Sequence, residues 1–170
     1  MPETGVLGFP QPRWYGRAVP KLYPLPGPVA RSLEVVGDRW TLLVVRELLL
    51  GGRRWAELER ALPGIPSNLL AERLRLLEEE QVVERAADGR VYHLTDKGRD
   101  LAPVLASLAA WGTRHCGAPS SAVATHAGCG GRVVLHSSCA RCGAPVPPES
   151  LDVRNLQGGT AGARDPKGPW

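Results

Sequence analysis

The stretch Val82-Val83-Glu84-Arg85-Ala86-Ala87-Asp88-Gly89-Arg90-Val91-Tyr92-His93-Leu94 decides how this chain is read. Val82–Arg85 and Val91–Leu94 are short β-prone runs, and the Asp-Gly pair between them suits a tight hairpin turn. Just upstream, Ser67–Glu80 places Leu70, Leu74 and Leu77 at helical spacing, with Leu69 and Leu76 widening the stripe and Ser67 or Asn68 as its cap. Trp55–Leu62 is a shorter helix with Trp55, Leu58 and Leu62 on one face, ended by Pro63-Gly64. Two helices joined by a tight glycine-containing turn and followed by a hairpin read as a helix-turn-helix with a wing.

The flanking segments complete the domain. Pro28 opens a helix over Val29–Val36, Gly37 closes it, and Asp38 is placed to cap the next helix. Arg39–Leu50 is apolar on almost every side, the mark of a helix buried in a core. After the hairpin, Thr95 caps a helix over Asp96–Gly112 carrying Leu101, Val104, Leu105, Leu108 and Trp111, in which Pro103 predicts a kink. The fold class is mainly α with a small β-hairpin wing, over residues 28–112. Residues 1–27, with Phe9, Trp14, Tyr15 and Tyr23 among prolines, read either as an extended arm or as a disordered tail. Residues 113–154 form a Cys/His-containing, zinc-ribbon-like extension, and residues 155–170 a disordered tail.

Composition bounds the partners. Of sixteen prolines only three fall in residues 29–112, so the compact core belongs there. No run approaches a membrane span and no secretory signal is visible, which predicts a cytoplasmic protein without a membrane partner. The net charge is +4, yet residues 29–112 hold 12 Lys and Arg against 13 Asp and Glu. The positive excess lies in the flanks, so bulk charge says little about nucleic acid and individual arginines must carry that case.

The run Val29-Ala30-Arg31-Ser32-Leu33-Glu34-Val35-Val36-Gly37-Asp38-Arg39-Trp40-Thr41-Leu42-Leu43 resembles the opening of HxlR-type winged helix-turn-helix regulators. So do Arg46-Glu47-Leu48, Leu62-Pro63-Gly64-Ile65, Arg73-Leu74-Arg75-Leu76-Leu77-Glu78 and Leu94-Thr95-Asp96-Lys97-Gly98, in that order. The resemblance implies a transcriptional regulator, not an enzyme. It implies a homodimer paired through its flanking helices, here Val29–Val36 and Asp96–Gly112, presenting two recognition helices to a pseudo-palindromic operator in double-stranded DNA. Many such regulators carry a cysteine just before the Pro-Val/Ile-Ala-Arg segment, and in some it senses oxidants. Gly27 stands there in this chain, so that switch is missing.

With the leucine stripe inward, Asn68, Ala71, Glu72 and Arg75 face outward from the recognition helix, Arg73 lies to one side, and Ser67 suits a phosphate. Asn and Arg read base edges through paired hydrogen bonds. Arg73 has a second reading as the partner of a neighbouring carboxylate. Arg53 and Arg54 before the first reading helix, and Arg90 in the wing over Arg85–Val91, are candidate backbone contacts. Glu78, Glu79 and Glu80 end the recognition helix facing away from DNA, in a position that opposes the helix dipole. Nothing in the sequence accounts for their being tolerated there.

All four cysteines lie in the last third of the chain. His126, Cys129, Cys139 and Cys142 have the spacing of a small zinc ribbon, with His136 as a rival fourth ligand and Arg132–Leu135 as a connecting strand. A metal-free pair of turns and a disulfide switch are the alternatives to bound Zn²⁺. Cys116 follows His115 with no third orienting group, and reads as a non-catalytic thiol at a helix end. Against the DNA reader stands an interaction module whose winged helix contacts another protein.

Overall fold

The structure, a computed structural model, describes Tyr23, residues 27–117 and residues 124–152. The proposed arm, apart from Tyr23 and Gly27, and the proposed tail lie outside the described residues. The elements run α1 (Pro28–Val36), α2 (Thr41–Leu49), β1 (Arg53–Arg54), α3 (Trp55–Ala61), α4 (Ser67–Glu79), β2 (Val83–Arg85), β3 (Val91–Leu94), α5 (Asp96–Arg99) and α6 (Ala102–His115).

α2, α3, α4 and the sheet share one core. Val44, Val45 and Leu48 of α2 meet Leu58 of α3, Leu70, Leu74 and Leu77 of α4, and Val83, Tyr92 and Leu94 of the strands. The α4 leucines are essentially inaccessible, at 0%, 1% and 0% exposure. Each such side chain contributes about 1.5–3 kcal/mol on leaving water, so this stripe sets how α4 is rotated about its axis.

The wing is a sheet of three antiparallel strands in the order β1-β3-β2. β2 and β3 are the expected hairpin, with Val83 opposite Leu94 and Arg85 opposite Tyr92. β1 was not foreseen. Its Arg53 and Arg54 pair with Tyr92 and Val91 through backbone groups, which two arginines in sequence do not advertise.

Three further details depart from the sequence reading. Asp38 does not cap α2: Trp40 holds the N-cap position with φ 80°, and the Asp38 carboxylate is bound elsewhere. Ser67 is the first residue of α4, after Pro66 at the cap, and makes no capping bond. The long final helix is not kinked but divided. α5 ends at Arg99, and Pro103 stands in the first turn of α6, where its missing N–H is no loss. The Thr95 cap is present, its hydroxyl accepting from the Gly98 amide at 3.2 Å and donating to the Gln81 carbonyl at 2.7 Å.

α1 and α6 flank the domain and bury no residue fully, although Val35, Leu101 and Leu105 reach the core. Val29, Leu33, Val104, Leu108 and Trp111 stay exposed, Trp111 at 57%.

Gly98 sits where α5 is closest to the strand entry. A Cβ there would lie 2.2 Å from the Val82 carbonyl oxygen and 2.9 Å from Leu94, and that carbonyl is already held by the Thr95 amide. Gly98→Ala should therefore lower stability by about 1–3 kcal/mol despite alanine's better helix propensity. A urea midpoint equal to or above that of the parent chain would contradict this packing.

Candidate nucleic-acid interface and the C-terminal turns

Rotation of α4 sorts its polar residues into two groups. Asn68, Ala71, Glu72 and Arg75 are exposed, as the leucine spacing requires. Asn68 makes no side-chain hydrogen bond among the described residues, so its amide is available to a ligand. Arg75 donates to Glu79 at 2.6 Å, one turn on, in an exposed pair. Pairs of this kind contribute about 0–1 kcal/mol and are readily exchanged for another anion.

Arg73 belongs to the second group. It is 9% exposed, its guanidinium donates to the Asp38 carboxylate, and Glu72 lies 3.5 Å away. Of its two sequence readings, the structure realises the ion pair with a neighbouring acid, which fastens α4 to the turn before α2.

Ser67 donates its hydroxyl proton to Glu59 at 2.5 Å, tying the start of α4 to α3. Glu59 was not singled out from sequence, because an exposed acid on a short helix gives no signal of its own.

The acidic end of α4 is compensated residue by residue. Glu78 accepts two bonds from Arg85, at 2.6 and 3.2 Å, Glu79 pairs with Arg75, and Lys97 lies 3.8 Å from the Glu80 carboxylate. Lys97 also donates to the Glu80 carbonyl at 2.5 Å, placing a cation at the helix C-terminus. Arg85 in turn lies 4.7 Å over the Tyr92 ring, and the bond to Glu78 holds its pKa above the usual arginine value. Burial raises the Tyr92 phenol above its ordinary value, partly opposed by the nearby Arg85 charge.

The three other candidate arginines differ in freedom. Arg53 is half-buried and bonded to Glu47, at 3.5 Å to its carbonyl and 3.6 Å to its carboxylate. Arg54 has an exposed side chain, while its backbone amide donates to Glu57 at 2.7 Å. Arg90 is exposed in the hairpin turn, its amide held by Asp88 at 2.9 Å. Because Arg54 is opposite Val91, the sheet brings Arg54 and Arg90 to the same end of the wing.

In the extension the candidate ligands fall into two pairs. His126 Nδ1 and Cys129 Sγ are 3.3 Å apart. Bonding from the Cys142 amide first, then from the Arg141 amide and the Cys142 side chain, holds the Cys139 thiol below its ordinary pKa. Among the described residues no three His, Cys, Asp or Glu side chains converge as a set that could hold a metal. All four cysteines are free thiols. Residues 133–137 form no regular strand, unlike the connecting strand expected there, and His136 is exposed between the two pairs. Cys116 caps the C-terminal end of α6 and is exposed.

A three-helix head, a reading helix held by its own leucines and a three-stranded wing define the winged helix-turn-helix class. The pattern of the HxlR-like helix-turn-helix family matches residues 35–120, and the chain belongs to that family of transcriptional regulators. An uncharacterised HTH-type transcriptional regulator of Mycobacterium tuberculosis (strain ATCC 25618 / H37Rv) is 36% identical over 135 residues, covering 75% of this chain and 82% of the relative. The HTH-type transcriptional regulator YodB of Bacillus subtilis (strain 168) is 33% identical over 90 residues, covering 50% of this chain and 80% of YodB. The crystal structure of PA1607, described as a candidate transcription factor, superposes with a TM-score of 0.64 at 37% identity. That match covers 74% of this chain and 92% of PA1607. Among the described residues no helix is long and apolar enough to cross a membrane.

The sorting of α4 separates stability from recognition. Arg73→Ala should cost about 1–3 kcal/mol of stability, through lost charge-assisted bonds and lost packing of its stem. Arg75→Ala should leave the urea midpoint within about 0.5 kcal/mol of the parent. Equal midpoints for the two variants would show that the Arg73–Asp38 contact carries nothing.

Proposed function

We propose that the protein is a sequence-specific DNA-binding regulator that acts as a homodimer on a pseudo-palindromic operator. The observation that carries the reading is the polar face of α4. Asn68, Glu72 and Arg75 are presented outward by a helix whose rotation is fixed by Leu70, Leu74 and Leu77. A helix of this kind enters the major groove with its N-terminal half at the base edges. Asn68 suits adenine and Arg75 guanine, while Glu72 accepts from cytosine or excludes other bases. The amide end of α4 at Ser67 meets a phosphate, and Arg54 and Arg90 hold the backbone from the wing. Arg53 supports the strand that carries Arg54 rather than touching DNA.

The dimer is supported by the apolar side chains that α1 and α6 leave exposed. Val29, Leu33, Val104, Leu108 and Trp111 are what two amphipathic helices would bury against a second copy. Each subunit then offers one reading helix, and half-sites follow one helical turn of DNA apart.

Selection from a random duplex pool should yield an inverted repeat. On that repeat the double variant Asn68→Ala, Arg75→Ala should bind about 10- to 1,000-fold more weakly, while affinity for random duplex falls little. Arg54→Ala and Arg90→Ala should each weaken all duplexes alike and reduce the salt slope by about one. Binding of the parent that does not change with salt would favour the rival module, a winged helix that contacts protein. For the dimer, light scattering should show Leu108→Asp shifting the mass from two chains toward one. An unchanged dimer would remove α6 from the interface.

A further inference from the structure

The extension contains a duplicated unit that its spacing alone does not reveal. Residues 125–133 read Thr-His-Ala-Gly-Cys-Gly-Gly-Arg-Val, and residues 138–146 read Ser-Cys-Ala-Arg-Cys-Gly-Ala-Pro-Val, thirteen positions later. The backbone repeats with the same offset. Thr125 bridges Arg132 and Ser138 bridges Pro145, both antiparallel. The His126 amide donates to the Gly131 carbonyl at 2.8 Å, and the Cys139 amide to Ala144 at 2.8 Å. The Gly130 amide returns to the His126 carbonyl and the Gly143 amide to Cys139, both at 2.8 Å. Val133 donates to Ala124 at 2.7 Å and Val146 to Ser137 at 2.8 Å. Gly130 and Gly143 share φ values of 69° and 72°, a left-handed conformation that glycine adopts without strain.

Each copy is thus a tight hairpin that carries one ligand at its entry and one a single turn later. Glycine clears the space around the donors. A Cβ on Gly128 would stand 3.0 Å from the His126 ring, and one on Gly131 would stand 3.3 Å from the Cys129 sulfur. The 3.3 Å between His126 Nδ1 and Cys129 Sγ is close to a tetrahedral edge. Zn–N near 2.0–2.1 Å and Zn–S near 2.3 Å would set that edge at about 3.5–3.6 Å.

No hydrophobic core holds the unit together among the described residues. No residue of 124–152 is buried, only Cys139 and Val146 are even half-covered, and Val133, Val134, Leu135 and Leu151 are exposed. A segment this small without a hydrophobic core is usually stabilised by a disulfide, a metal or a partner surface. Its cysteines are free thiols, three of them in the two turns.

We propose that residues 124–146 are a two-knuckle zinc site in which His126, Cys129, Cys139 and Cys142 of one chain bind one Zn²⁺. The two ligand pairs stand apart in the structure, so binding would draw the two hairpins together. Three thiols lose their protons to solvent on binding, and neutral His126 donates through Nδ1. The complex then carries one net negative charge, with Arg132 and Arg141 in the same two hairpins. His136, outside both repeats, is not a ligand.

The test uses the full chain, purified and kept reduced, with Zn²⁺ and then Co²⁺ as probes. We expect one zinc per chain by mass spectrometry, and with Co²⁺ the thiolate charge-transfer and intense visible bands of a tetrahedral site. Cys139→Ser and Cys142→Ser should each lose the metal, and His126→Ala should weaken it by more than about a hundredfold, beyond what loss of an outer-shell partner costs. Cys116→Ser and His136→Ala should retain it. Chelation should collapse the amide signals of 124–152 and leave the helical circular dichroism of the winged domain in place, so a variant that misfolds globally is recognised. Failure of a folded, reduced chain to bind equimolar Zn²⁺ would overturn the proposal. So would full retention by Cys139→Ser, loss on His136→Ala, or two thiols oxidised with no metal bound. None of these outcomes depends on how the winged domain meets DNA.

Discussion

The rotation of α4 about its own axis is the constraint on which the rest depends. Leu70, Leu74 and Leu77 are buried, so only one phase of the helix is stable, and in that phase Asn68, Glu72 and Arg75 must point out. The Arg73–Asp38 pair fixes the same phase from one side, and the Ser67–Glu59 bond anchors the helix start. A turn of about 100°, one residue's worth, would drive a polar side chain into the core, at a cost of about 2–7 kcal/mol for an unpaired group. The helix is therefore a rigid carrier, and preorganisation is what a reader of base edges needs.

The same geometry answers part of the charge problem raised by composition. A domain with slightly more acids than bases approaches a polyanion only if the acids are occupied or remote. Glu47 is buried beside Arg46 and Arg53, Glu78 is bonded to Arg85, and Glu80 lies beside Lys97. On the proposed reading side Glu59 bonds Ser67, Glu72 stands exposed beside Arg73, and Glu79 would compete with DNA for the Arg75 guanidinium. That competition is weak in water and screened by salt. Under the proposed function Arg75 gives up one anion to take another.

Most of the winged domain was legible because its signals are periodic. The leucine spacing gave α4, the Asp-Gly pair gave the hairpin, and Thr95 gave the start of α5. What escaped notice has no periodicity. β1 is two arginines recruited by the open side of β3, a tertiary effect. Asp38 looked like a cap because caps and ion-pair partners use the same residue types, and only the distant Arg73 decides between them. Pro103 looked like a kink because the stripe continues across it, whereas the chain restarts its helix there. In the site, Arg73 could not be assigned from its position at the edge of the stripe, and the cations that neutralise Glu78 and Glu80 come from the wing and α5. In the extension the Cys/His spacing was visible, but the matching hydrogen bonds of the two turns appear only in the folded chain.

Under the proposed function the outward face of α4 is the surface that meets DNA. The most direct measurement is a titration of the isotope-labelled full chain with a short duplex, followed by nuclear magnetic resonance. Phosphate contacts alone suffice to perturb the signals, so the operator need not be known. The Asn68 side-chain amide, the Arg75 guanidinium and the backbone amides at the start of α4 should move first, with Arg54 and Arg90 following. Shifts centred on α1 and α6, or confined to residues 124–152 while α4 stays silent, would contradict it.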